Sequence, residues 1–209
     1  MANPAPKMLY DSPRAPNPRR VRMFLAEKGI TLPTTDINIM DGSQFSAEYT
    51  QKIGTFRVPA LELNDGQILT ETTAICRYLE ALHPTPNLLG ETALEQAQME
   101  MWSRRIEFEL MLPIAFVLRH SNPAMAVMES PQCPEWAEVN LPKVHKAIAW
   151  LETVLQRTAF IAGGRFTMAD ITALVSVEFM RTIRTPIPDE NTATLAWLEQ
   201  MRARPGYVK

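Results

Sequence analysis

Two cysteines in 209 residues, Cys76 and Cys133, are too few and too far apart for a disulfide framework. Neither has a Cys-x-x-Cys partner or a spacing that suits a metal, so no metal is expected and a reducing, cytoplasmic compartment is the simpler setting. Charge of one sign is also lacking. A net charge of -2 leaves no electrostatic footprint for a nucleic acid. No segment reaches the ~20 apolar residues needed to span a bilayer. The opening Met-Ala-Asn-Pro-Ala-Pro-Lys has no apolar run of signal length, so a soluble protein with neither a membrane nor a nucleic-acid partner is expected. Internal repeats and low-complexity tracts are missing too. What is plentiful is methionine, at 12, and proline, at 17, and neither count assigns a function by itself. Methionine suits adaptable core packing or a permissive apolar cavity. The length allows one large domain or two small ones.

Met8-Leu9-Tyr10 reads as a first strand. Val21 to Lys28 follows as a helix, with Val21, Phe24 and Leu25 on its buried face and Gly29 just past its end. Leu32 to Ile39 is expected as a second strand, and a polar stretch from Asp41 to Ala47 leads into a short helix. Leu61 and Leu63 alternate with polar residues before the turn signal Asn64-Asp65-Gly66, and Gln67-Ile68-Leu69 returns, which makes a hairpin. A helix begins at once, with Thr70 available as its cap and Glu71 in its first turn, at the positive end of the dipole. The order β-α-β-α-β-β-α is a thioredoxin-like arrangement, expected over residues 1–84. His83-Pro84-Thr85-Pro86-Asn87 breaks the pattern, so residues 85–92 read as a linker. From 93 to 209 the period is helical throughout: Ala93 to about His120, Ala137 to Gln156, Met168 to about Arg184 and Thr192 to Arg202. The fold class is therefore α/β plus all-α.

Val58-Pro59 at the entry to the hairpin, then Glu71-Thr72 with Ala74-Ile75 at the following helix start, resemble the glutathione site of the glutathione transferase family. Each dipeptide alone fits an ordinary hairpin and a well-capped helix; their order and combination are far more specific. The resemblance implies that Pro59 is cis and that the Val58 backbone pairs with the tripeptide as an added strand. It implies further that Glu71 meets the γ-glutamyl ammonium, while Thr72 and the helix-start amides meet its carboxylate. A second motif lies in the helical half, where Thr167-Met168-Ala169-Asp170-Ile171 carries a capping-box pair that the family places at the same helix start, with a structural role. Gln44 and Arg57 stand where the family offers partners to the glycyl carboxylate, although both also fit ordinary exposed polar residues.

Glutathione chemistry needs a thiolate, and a thiol with a pKa of about 8.5 is mostly protonated near neutrality. Counting back from Arg20-Val21, the position that many family members fill with a catalytic serine holds Ala15. Other residues are candidates for the thiolate's partner. Ser12 reaches the site if its loop folds back, or else organises the turn before Pro13. Asn17 before Pro18 reads as a helix cap with proline in the first helical position. Ala15-Pro16-Asn17 also resembles the Nu-class transferases and related prion-type regulators, in which the Asn amide contacts the glutathione sulfur. The Tyr10-Asp11-Ser12-Pro13 and Pro16-Asn17-Pro18 stretches resemble, in addition, an atypical fungal and bacterial subgroup without the usual Ser, Tyr or Cys. That subgroup relies on the helix end and on water held by helical-domain side chains, for which His120 is a candidate as a water-holding or base residue, with a solvated helix-end histidine as the alternative; Arg119 beside it is a candidate to steer an anionic substrate or stabilise the thiolate. Trp102, Met111, Ala115 and Phe116 are candidate pocket residues or ordinary core. The resemblance implies a transferase using glutathione as cosubstrate to attack a small hydrophobic electrophile, and a homodimer. Glutathione-dependent disulfide reduction, or glutathione binding without turnover, stays open beside it.

Overall fold

A computed structural model describes residues 3–208. The chain divides into two compact units, Met1–Pro86 with Pro205–Lys209, and Asn87–Arg204. The return of the last residues to the first unit departs from the expected helical domain reaching residue 209. Arg19 explains it, because its Nε donates to the Val208 carbonyl at 2.7 Å and its guanidinium lies 5.5 Å from the Tyr207 ring.

The first unit runs β1 (Pro6–Asp11), α1 (Pro16–Glu27), β2 (Thr34–Asp36), a 3-10 turn (Ser43–Phe45), α2 (Ala47–Ile53), β3 (Ala60–Leu63), β4 (Ile68–Thr70) and α3 (Thr72–Leu82). The sheet order is β2-β1-β3-β4, with β1 parallel to β2 and antiparallel to β3. Register sets the two faces. Leu9 pairs with Leu61 and Tyr10 with Ala60, so alternation sends the leucines to one side and Tyr10 with Ala60 to the other. On that second side Tyr10 and Ala60 cluster with Tyr49 and Ile53 of α2, and Val58 packs against the group. The β3–β4 hairpin is set locally: Gly66 takes φ 86 in the turn, and the Asp65 carboxylate accepts the Gln67 N–H at 3.0 Å. Lys28 ties the far ends of α1 and α3 together. Its ammonium donates to the His83 carbonyl at 2.6 Å and the Pro86 carbonyl at 2.7 Å, and pairs with Glu80 at 2.8 Å.

Two boundaries differ from expectation. The second strand covers only Thr34–Asp36, because that is the length over which β1 offers it a ladder, from Leu9 to Asp11. Helix α1 begins at Pro16, well before Val21.

The second unit contains α4 (Ala93–Ile106), α5 (Leu112–Ser121), α6 (Pro134–Leu155), α7 (Met168–Phe179) and α8 (Thr192–Arg202). The single long helix expected from Ala93 is α4 and α5 joined through a π-helical turn, Glu107–Met111. Helix α7 is buried along ten consecutive residues from Met168 to Val177, as befits the central helix of a bundle. It starts at the anticipated capping box: the Asp170 carboxylate accepts the Thr167 N–H at 2.9 Å. The same carboxylate accepts the Ile161 N–H at 2.9 Å and the Trp197 Nε1–H at 3.4 Å, which joins α7 to a loop and to α8. Glu152 on α6 caps α8 from outside by accepting the Thr194 N–H and hydroxyl, each at 2.8 Å. A second capping box, Thr92 with Glu95, opens α4 and was not anticipated. Among the described residues no helix is long and apolar enough to cross a membrane.

Candidate active site

The start of α1 differs from the expected cap. Ala15 is the N-cap, so Pro16, Asn17 and Pro18 are the first three helical residues and Asn17 is not the capping residue. The reason is that either proline suits the first turn, where a missing N–H costs nothing, and the helix begins at the earlier one. The consequence is chemical. Of the three first-turn positions only Asn17 keeps a backbone N–H, because both flanking residues are proline. The Ala15 N–H is already used, donating to the Ser12 carbonyl at 3.0 Å. The Asn17 side chain is exposed, and its Oδ1 accepts from Arg20 Nη2 at 2.9 Å. That bond fixes which way the amide points and leaves the two Nδ2 protons as its outward donors.

The start of α3 also departs from expectation. Thr70 belongs to β4, paired with Ala60, so it cannot cap the helix. Glu71 is the N-cap instead, at φ 69 and ψ 121. Only Glu71 and Arg184 among the described non-glycine residues have positive φ. Such a backbone costs of order 1–3 kcal/mol and is maintained only where the surroundings over-determine it. It leaves an exposed carboxylate at the positive end of an eleven-residue helix, with no hydrogen bond or ion pair to other described residues. Thr72 beside it is buried, and its Oγ1 donates to the Asn17 carbonyl at 3.4 Å across 55 positions of sequence. The starts of α1 and α3 are therefore adjacent. That bond is at the long limit, and the hydroxyl has one proton, so it must turn away from Asn17 to serve a ligand carboxylate.

The third wall of this region is the segment before β3. The Val58–Pro59 peptide is cis, as the resemblance implies. Val58 is half-buried, Pro59 is buried and Arg57 is exposed, with its guanidinium 5.7 Å from the Phe56 ring. The Arg57 carbonyl accepts the Tyr49 hydroxyl at 2.7 Å, a contact that no sequence pattern announced.

Gln44 requires a correction. It has no exposed surface, and its Nε2 donates to the Ile39 carbonyl at 3.4 Å, so it lies inside the unit and is not presented to a glycyl carboxylate. The 3-10 turn from Ser43 to Phe45 turns its side chain inward. Ser12 is 3% exposed, and its carbonyl closes the turn to Ala15. The Ser12-Pro13 turn is clamped by Arg22, which pairs with Asp11 at 2.5 Å and donates to the Pro13 carbonyl at 2.9 Å. Sequence reasoning missed this clamp, since Asp11 and Arg22 belong to different elements.

In the second unit, His120 is half-buried near the end of α5, and its Nδ1 accepts the Cys133 N–H at 3.0 Å. The Phe116 ring lies 6.5 Å from the imidazole and 5.8 Å from the Trp136 ring. Met111 is buried and so belongs to the core of this unit, while Trp102, which stacks on Trp150 at 5.4 Å, Ala115 and Phe116 are half-buried. Arg119 lies 3.8 Å from Glu129. Cys133 is exposed just before α6, and Cys76 is fully buried in α3, where burial pushes its thiol up to about 12.

The chain matches the family models for the glutathione S-transferase N-terminal domain over residues 15–82 and the glutathione S-transferase C-terminal domain over residues 134–207. It is 35% identical to glutathione S-transferase 2 of Saccharomyces cerevisiae over 205 residues, 97% of this chain and 88% of that protein. The crystal structure of Gtt2 from Saccharomyces cerevisiae superposes with a TM-score of 0.91 at 35% identity, covering 95% of this chain and 97% of the other. A glutathione S-transferase domain-containing protein from Marinobacter aquaeolei superposes with a TM-score of 0.92 at 33% identity, covering 96% and 100% of the two chains. A Gtt2-class glutathione S-transferase of Vibrio parahaemolyticus does so with a TM-score of 0.83 at 29% identity, covering 95% and 94%. A thioredoxin-like unit and a helical unit, each matched by its own family model, together with a relative 35% identical over 97% of this chain, lead to one conclusion: the chain belongs to the glutathione S-transferase family.

Proposed function

We propose that this transferase binds glutathione along Val58, Glu71 and Thr72 and stabilises its thiolate with the backbone N–H and side-chain amide of Asn17. The observation that carries the reading is the Thr72 Oγ1 to Asn17 carbonyl contact at 3.4 Å, which joins the two helix starts. Glu71 supplies an exposed, uncommitted carboxylate for the γ-glutamyl ammonium, with Thr72 available to its carboxylate. Val58 supplies backbone groups to the cysteinyl residue, and exposed Arg57 is a partner for the glycyl carboxylate.

The thiol proton leaves to solvent, the sulfur lone pair forms a bond to an electrophilic carbon, and the displaced group departs with its bonding electrons. Stabilisation of the thiolate before attack is what the Asn17 donors contribute. Each is worth about 1 kcal/mol toward an anion, and about 1.36 kcal/mol lowers a pKa by one unit. Asn17 is preferred over Ser12, which is buried in its turn, and over His120, whose Nδ1 is occupied by Cys133. The buried Cys76 thiol leaves disulfide exchange at this site to two glutathione molecules, which favours conjugation to a small hydrophobic electrophile. A homodimer is supported by the exposed Phe45 and Phe56 rings, whose centroids are 5.4 Å apart.

Steady-state conjugation of a generic aromatic halide, run beside a disulfide substrate, tests the reaction class. Replacing Glu71 with Gln tests the site. A charge-assisted bond is worth about 1.5–3 kcal/mol, so the variant's half-saturating glutathione concentration should rise roughly ten- to a hundredfold. Unchanged saturation removes Glu71 from the site.

A further inference from the structure

The segment that presents Val58 is held from behind. We propose that Tyr49 is a positioning residue for glutathione: its hydroxyl, by holding the Arg57 carbonyl at 2.7 Å, aims the Val58 N–H at the cysteinyl backbone. The inference rests on the reading of Val58 as the cysteinyl partner.

Planarity supplies the mechanism. The Arg57 carbonyl and the Val58 N–H belong to one trans peptide unit and point in opposite directions within its plane. A donor that fixes the carbonyl inward therefore fixes the N–H outward. Among the described residues the Val58 N–H donates no hydrogen bond, so the orientation set by Tyr49 serves no internal partner. Without the phenol, the peptide plane rotates more freely and binding must order it.

The Tyr49 ring is itself packed against the sheet. Tyr49 is 6% exposed in α2, with its ring 6.1 Å from that of Tyr10 in an edge-to-face arrangement. Helix α2 is pinned to the sheet by Lys52, which pairs with Glu62 of β3 at 3.0 Å and lies 5.2 Å from the Tyr10 ring. Glu62 in turn accepts the Tyr10 hydroxyl at 2.7 Å and pairs with Lys7 at 2.6 Å. Burial, and then the neighbouring Tyr10, push the Tyr49 hydroxyl up to about 12, so it stays a donor at every pH where the thiol chemistry runs.

The test is Tyr49→Phe, which removes the donor and keeps the ring. The half-saturating glutathione concentration should rise roughly three- to tenfold, with turnover at saturating glutathione and half-saturation by the electrophile unchanged. S-methylglutathione, which carries the same cysteinyl backbone, should weaken as an inhibitor by the same factor. If Glu71→Gln weakens glutathione while Tyr49→Phe leaves it within about twofold, positioning by Tyr49 is refuted and the site reading stands. If neither variant changes saturation, the site reading fails and takes this inference with it. A loss confined to turnover also refutes it. A measurement on the unaltered protein does not depend on the variant folding: glutathione should slow hydrogen exchange at the Val58 amide, and unchanged exchange there overturns the proposal.

Discussion

If Asn17 stabilises the thiolate as proposed, replacing it with Ala removes one of its two donors and leaves the other. Pro16 and Pro18 have no N–H, so the remaining stabilisation rests on the Asn17 backbone and the weak dipole of a twelve-residue helix. The lost Nδ2 bond to an anion at an exposed site is worth about 1–1.5 kcal/mol, which raises the thiol pKa by about one unit. The acid limb of the pH profile of kcat/KM should move up by that amount. Turnover should fall most at low pH and converge with the parent well above the pKa, because a thiol that is already ionised gains nothing from the amide. The substitution also takes one acceptor from buried Arg20, so a stability loss of about 1 kcal/mol accompanies it. Asn17→Asp separates the effects. It restores an acceptor to Arg20, and so stability, but sets a carboxylate beside the sulfur and shifts the acid limb further than Ala does. Thiolate absorbance of the bound glutathione, titrated in all three proteins, reads the shift directly. An acid limb that stays fixed while activity follows thermal stability would refute the reasoning and return Asn17 to a structural role.

Two further outcomes test the framework. Gly90→Ala should destabilise the second unit by roughly 2–5 kcal/mol in thermal unfolding, because φ is +108 there and a Cβ would meet the Gln96 nitrogen at 2.5 Å, a backbone atom that cannot move aside; a melting temperature equal to the parent's would contradict that packing. Glu62 is held down to about 2 by Lys7 first, then Tyr10 and Lys52, against an ordinary 4.5. Its folded pKa is depressed, so its stabilising contribution is complete above about 4.5 and is lost as pH falls through about 2. Glu62→Gln should flatten the stability profile in that window, and a parent-like slope in the variant would exclude Glu62 as its source.

The sequence made visible whatever depends on neighbours along the chain. The β3–β4 hairpin follows from Asn64-Asp65-Gly66, and the α7 capping box from the spacing of Thr167 and Asp170. The order of elements in the first unit was legible for the same reason. Ambiguity entered where two residues satisfied one local rule. Pro16 and Pro18 each suit a first turn, and because the helix starts at Pro16, Asn17 takes the second helical position and not the cap. Thr70 suits both a strand and a cap, and its pairing with Ala60 decides for the strand and forces Glu71 into a left-handed backbone. Contacts between distant segments were beyond local reasoning. The burial of Gln44, the Asp11–Arg22 clamp on the Ser12 turn and the bond from Tyr49 to Arg57 all arise when elements pack, and no spacing encodes them.

If glutathione lies across the joined starts of α1 and α3 with its sulfur against Asn17, a crystal structure of the complex should show the sulfur within hydrogen-bond reach of the Asn17 amide groups, the γ-glutamyl ammonium on Glu71 and the cysteinyl backbone paired with Val58. A γ-glutamyl group bound away from Glu71, or a sulfur whose nearest polar partner is any residue other than Asn17, would contradict that placement.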